Sequence, residues 1–189
     1  MYQINNEIRL VPFERQHMTP DYKSWFTDQE VTKYNSHGVF PKTEKDYEDF
    51  LASTNKNLVL AIGGSLLACN DHYSHIGNIS LQAIDWINRS AELAIIIGDK
   101  DHWGKGIGTL VCKQMLVHGF QKMNLNRIYL GTAMANYGMG KIAENIGMFH
   151  EGDSFNALYL NGTYLDLNHY YITKSMWLRE RSGKPQKKE

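Results

Sequence analysis

Residues 99–110 read DKDHWGKGIGTL, with Gly104, Gly106 and Gly108 at every second position and Lys105 between the first two. Alternating glycines let a backbone bend tightly after a strand, and a helix opening at about Gly108 would leave several N–H groups aimed at one spot. Such a cradle suits an anion, most naturally a pyrophosphate. Two other phosphate loops do not fit. The Walker pattern places its lysine after the last glycine, whereas Lys105 lies among the glycines. The dinucleotide pattern GxGxxG needs glycine where Thr109 stands and a βαβ unit around it, but the runs before this loop read as a meander. A tightly packed glycine turn that holds no ligand is the plainer reading of the same residues.

Other reactive side chains are more scattered. His72 and His75 are spaced like a metal pair, but only Asp71 is near them and no third ligand is specified, so no metal site is expected. Ser24, Ser36 and Ser154 have no nucleophile-elbow context. Tyr34, His37 and Phe40 cluster between two helix-like segments, either as a loop packed on the core or as a surface for substrate. Glu92 is a carboxylate inside the otherwise apolar run AELAIII, where it is either a solvated side chain or a group placed for proton exchange.

These residues need elements to hold them. Alternation over 7–13 predicts a first strand. Thr19, Pro20 and Asp21 open a helix over 19–28, and a second start signal opens one over 43–53, with a loop at 33–41 between them. Short apolar runs from 57 to 98, divided by GGS, NDHYS and DWINRS, predict an antiparallel meander of about three strands. A helix over 108–123, a strand over 127–134, a helix over 136–147 ending at Gly147, and a long alternating final strand over 164–177 complete the order. Residues 1–178 form one domain, and the charged stretch 179–189, without apolar period, reads as a frayed tail.

The 189 residues are enough for a real core, and 20 basic against 20 acidic side chains give no electrostatic case for nucleic acid. Cys69 and Cys112 fit reduced thiols, and no apolar stretch is long enough for a membrane span or a signal peptide, so a cytoplasmic protein is expected.

The segments AELAIIIGDKDHWGKGIGT and RIYLGTAMANYGMGKIAENIGM resemble the GNAT superfamily of acyl-CoA-dependent N-acetyltransferases, over about residues 7–177. The resemblance is to the branch containing ribosomal-protein and small-amine acetyltransferases. It implies an α/β (α+β) fold, a mixed, mostly antiparallel sheet with a central parallel splay, flanked by helices. The glycine loop corresponds to the family's Q/R-x-x-G-x-G/A motif, with Trp103 in place of Gln or Arg. On that basis Trp103, Gly104, Lys105, Gly106, Ile107, Gly108 and Thr109 hold the pyrophosphate of acetyl-CoA, mainly through backbone amides. Ile95, Ile96 and Ile97 offer main-chain contacts to pantetheine and the acyl group. Asn136 matches a position that contacts pantetheine or substrate, and Lys141 lies within reach of a phosphate.

The resemblance also implies transfer of an acetyl group to a primary amine. An amine with a pKa near ~10.4 is mostly protonated at pH 7, so a base helps, and Glu92 is the candidate. The loop carrying Tyr34, His37 and Phe40 faces the acceptor in this fold. Many family members carry a tyrosine seven residues after the Asn as acid to the departing thiolate, but here that residue is Ala143. Met139 likewise replaces a serine, leaving Tyr137 or Tyr171 to be considered. Small amines, amino sugars and protein N-termini are all compatible acceptors, and self-association into a homodimer is compatible too. The rival expectation is a degenerate sensor that binds acyl-CoA without turnover; a nicotinamide oxidoreductase would require a parallel, doubly wound sheet.

Overall fold

The computed structural model describes residues 1–54, 56–65 and 73–182. Its sheet has eight strands: β1 (Tyr2–Gln3), β2 (Ile8–Pro12), β3 (Leu58–Ser65), β4 (Tyr73–Asp85), β5 (Ser90–Ile97), β6 (Arg127–Ala133), β7 (Phe149–Leu160) and β8 (Thr163–Thr173), in spatial order β1-β2-β3-β4-β5-β6-β8-β7. Every neighbouring pair is antiparallel except β5 and β6, which are parallel. The expected mixed sheet with one central parallel junction is therefore present. A doubly wound nicotinamide-binding sheet is excluded.

The helices are α1 (Pro20–Ser24), α2 (Glu44–Ser53), α3 (Ile107–Val117), α4 (Tyr137–Asn145) and α5 (Lys174–Arg181). Their starts follow local chemistry. Thr19 caps α1 through the Tyr22 amide with Pro20 at the first turn, and Thr43 with Asp46 forms a reciprocal capping box on α2. The α1 helix is shorter than the expected 19–28, and α3 passes into a wide-turn segment over His118–Lys122.

Strand alternation sorts the core into two layers. On one face Leu10, Leu60, Ile62, Ile79, Leu81, Leu93, Ile128 and Leu130 pack with Val111, Met115 and Phe120 from the α3 side. On the other, Val59 and Ala61 pack with Phe13, Tyr22, Trp25 and Tyr47 beneath α1 and α2. Cys112 is buried in the first layer, and burial pushes its thiol up to about 12, so it is an inert core residue. Cys69 lies outside the described residues.

At the C-terminus the final strand expected over 164–177 is the second of a pair and ends sooner. Two strands meet at a tight turn in which Asn161 and Gly162 both have positive φ (50° and 83°), the backbone that Asn-Gly hairpins favour. The second strand stops at Thr173, whose hydroxyl accepts the Met176 amide and starts α5. Met176 and Trp177 are both buried from this helix. The α5 helix runs to Arg181, past the expected domain boundary at 178. Residues 183–189 of the expected tail lie outside the described residues.

Candidate active site

The β5–β6 ladder joins only Ser90 to Arg127, Ala91 to Ile128 and Glu92 to Tyr129. Past that point the strands part, while the far edge of β5 stays zipped to β4 as far as Ile97. The edge of β5 facing β6 from Leu93 onward therefore carries main-chain groups with no ladder partner. Ile95, Ile96 and Ile97 lie along this open wedge. The carbonyl oxygen of Ile97 is already engaged: Trp103 Nε1 donates to it at 2.8 Å. Trp103 thus ties the loop to the end of β5.

The loop itself is shaped by Gly104 and Gly106, with φ of +72° and +75°. No heavy atom lies within 4 Å of where a Cβ would stand at either residue, so both border open space. Gly106 is the N-cap of α3 and offers no side chain; its carbonyl accepts the Leu110 amide at 3.2 Å. The N–H groups of Ile107, Gly108 and Thr109 precede that bond and have no partner within the helix. Open space, unpartnered amides, the positive end of an eleven-residue helix and the exposed Lys105 together fit a phosphate-bearing cofactor.

Gly108 serves a different purpose from its neighbours. It is buried, and a Cβ there would stand 2.7 Å from Ile142 Cδ1, so its bareness lets α4 close on α3. Asn136 is the N-cap of α4, and its Oδ1 accepts the Met139 amide at 3.2 Å, which leaves its Nδ2 as a donor for a ligand. Lys141 is exposed on α4 and has no ion-pair partner among the described residues.

On the α1/α2 side, Glu92 stands at the last rung of the parallel ladder, and Gln82 Nε2 donates to its Oε2 at 3.0 Å. It shares that face of the sheet with Ser80 and Asn78, buried polar residues of β4. Sequence reasoning missed this polar seam, although Asn78, Ser80 and Gln82 alternate with apolar Ile79 and Leu81 and could have been found by that period. Burial lowers the pKa of His75 below its ordinary value, with the Asn78 hydrogen bond opposing. The ring nitrogen Nδ1 lies 3.0 Å from the His17 carbonyl oxygen and Nε2 lies 2.8 Å from Asn78 Oδ1. Both ring nitrogens of His75 are engaged by protein partners, and the His72 of the pair lies outside the described residues. Burial, and then the neighbouring Tyr47, keep the Tyr22 phenol neutral above this seam.

The loop between α1 and α2 brings together only part of its expected cluster. His37 lies edge-on to Phe26 with ring centroids 5.6 Å apart, and β7 approaches the short turn Ser36–Gly38. Tyr34 is half-buried, whereas Phe40 is 78% exposed. Crowding by protein atoms, and then the charge of Lys42, hold the surface His37 below its ordinary pKa and neutral at pH 7. Replacing His37 with alanine should raise the KM for the amine several-fold and leave that for acetyl-CoA unchanged. Steady-state kinetics with each substrate varied in turn checks this, and an effect on acetyl-CoA alone would detach the loop from the acceptor.

Beside this face lies a cavity of about 550 Å³, lined among others by Glu14, Asp21, Tyr73 and His75. Among the described residues no helix is long and apolar enough to cross a membrane, and no three candidate ligands cluster for a metal.

Residues 7–149 match the family model of the GNAT acetyltransferase domain. The chain belongs to the GNAT acetyltransferase family. Acetyl-CoA-dependent N-acetyl transfer is the reaction of this family. Among curated proteins, "Putative ribosomal N-acetyltransferase YdaF" of Bacillus subtilis (strain 168) is 36% identical over 105 residues, 56% of this chain and 57% of that protein. The spermidine N(1)-acetyltransferase of Vibrio cholerae is 36% identical over 103 residues, 54% of this chain and 59% of its own. These alignments thus span little more than half the length of either relative. A crystal structure of the Vibrio cholerae spermidine N-acetyltransferase with CoA and spermine superposes with a TM-score of 0.78 at 25% identity, covering 92% of this chain and 99% of that one.

For this GNAT chain the expected acid positions are informative. Ala143 is fully buried in α4, and Tyr137 is 83% exposed to solvent. Tyr171 lies on the opposite face of the sheet, under the Arg127 guanidinium at 4.5 Å and beside Phe149. Neither phenol faces the inner side of α4.

Proposed function

We propose that this protein transfers an acetyl group from acetyl-CoA to a primary amine of a small cationic molecule of the polyamine class. One observation carries the acceptor assignment. Residues 14–54, which cover the α1/α2 face, contain eight carboxylates against five Lys and Arg side chains, with Lys100 from outside the segment paired to Asp28 and Glu30, in a chain whose overall charge is zero. A cationic acceptor is drawn to that face and an anionic cofactor to the other. In the adjoining cavity Glu14 and Asp21 stand against the single guanidinium of Arg9, and with the spermine-bound structural neighbour they support the same reading. The ribosomal relative favours a second acceptor, a protein N-terminus.

When bound, acetyl-CoA supplies an electrophilic thioester carbonyl. The amides of Ile107, Gly108 and Thr109 hold its phosphates, and unpaired main-chain groups of β5 orient its acyl end in the wedge. Glu92, oriented by Gln82, accepts the proton that the amine must lose, directly or through water. A base at the wedge favours turnover over a sensor that only binds.

The test is an acceptor screen with acetyl-CoA, following release of free thiol. Spermidine should be acetylated with kcat/KM at least about tenfold above amino sugars and N-terminal peptides, and its KM should rise with salt as the surface charges are screened. Preference for a peptide would transfer the assignment to the second reading, and CoA binding without turnover on any amine would support a sensor.

A further inference from the structure

With Ala143 buried in α4 and Tyr137 of the same helix turned to solvent, α4 presents no phenol to the core, yet the sheet carries one. Tyr170 on β8 is 7% exposed and lies on the α3/α4 face, where its register partner is Leu130 of β6. Leu130 is the first residue of β6 beyond the parallel ladder, so Tyr170 is level with the start of the wedge. Its ring packs edge-on to His150, and its hydroxyl has no hydrogen-bond partner among the described residues. That hydroxyl reaches α4: it stands 3.4 Å from where a Cβ of Gly140 would be.

Helical side chains lean back toward the N-terminus and cover the preceding turn. A tyrosine at position 143 would therefore lay its ring over residues 139–140. In this chain that ground is occupied by the Tyr170 hydroxyl, which the bare Gly140 admits, while Ile142 on the adjacent side of α4 packs over Gly108 at the cofactor loop. We propose that Tyr170 is the proton donor to the departing sulfur, carried on β8 in place of a phenol on α4. This rests on the acetyl-transfer reading. As the amine nitrogen bonds to the acyl carbon, the C–S bond breaks with its electron pair going to sulfur, which takes the proton from Tyr170 Oη. The proton lost by the amine goes to the base, and the phenolate is reprotonated from solvent.

A thiolate is a moderate leaving group, with a thiol pKa near 8.5 for free cysteine, so the expected effect is modest. Tyr170→Phe should lower kcat about tenfold with unchanged KM for acetyl-CoA and an unchanged thermal unfolding midpoint. A readout independent of turnover uses the parent protein with 13C-ζ-labelled tyrosine. CoA should shift the Tyr170 signal, and desulfo-CoA, bound with similar affinity by calorimetry, should leave it near its free position. An equal shift by both, or a Tyr170→Phe variant with parental kcat, overturns the assignment, as does a loss seen with Tyr171→Phe and not with Tyr170→Phe. Failure of CoA to bind at all would instead refute the cofactor reading beneath it.

Discussion

Glu92→Gln should lower kcat by about 10²- to 10⁴-fold at pH 7 while acetyl-CoA affinity hardly moves. The amide keeps the shape of the side chain and its place beside Gln82, but it removes the proton acceptor at the rung where β5 and β6 part. The deficit should shrink as pH rises, because a primary amine titrating near ~10.4 is increasingly neutral before it meets the enzyme. Rate profiles of parent and variant from pH 6 to 10, with calorimetry of acetyl-CoA binding, check both parts. Parental turnover with an unchanged profile would reduce Glu92 to a partner of Gln82 and nothing more.

Gly106→Val should weaken acetyl-CoA binding by roughly ten- to a hundred-fold, far beyond the effect of Trp103→Gln. At φ +75° a β-branched residue is strongly disfavoured, and left-handed backbone alone costs about 1–2 kcal/mol for an L-residue. Relief of that strain would turn the first amides of α3 away from their common focus. Nothing in the protein touches a Cβ at this position, so the added atoms would stand in the space left for the phosphates. Gly108→Val should behave differently: its side chain meets Ile142 first, so the loss should appear in the thermal unfolding midpoint. Equal affinities for the parent, Gly106→Val and Trp103→Gln in calorimetry would remove the loop from the cofactor site.

Much of the scaffold was legible because local chemistry and global packing agree. Thr43 and Asp46 announce α2, the alternating runs announce β3 to β5, and the glycines at 104 and 106 announce a bent, open loop. The C-terminus was harder. Its alternation continues through Lys174 and Ser175 to Met176 and Trp177, and only the hydroxyl of Thr173, capping a helix, separates strand from turn. At the site, Glu92 stood out as a charge in an apolar run, whereas Asn78 and Ser80 read as ordinary strand residues until their burial was seen. Phe40 is near His37 in sequence, but the ring that packs on His37 is Phe26 and Phe40 is exposed. Tyr170 was invisible for a different reason: its relation to α4 is a contact across thirty positions of chain, and no local pattern encodes it.

The brevity of the parallel ladder has a mechanical consequence. The sheet amounts to two plates, β1 to β5 and β6 with β8 and β7, welded by three rungs at one end and free at the other. A molecule lodged in the gap acts as a key between the plates and braces them where the protein has no rungs of its own. Whatever occupies it is therefore bound by the folded chain alone, and saturation at a hundred times its Kd would add about 2.7 kcal/mol to the stability of the fold.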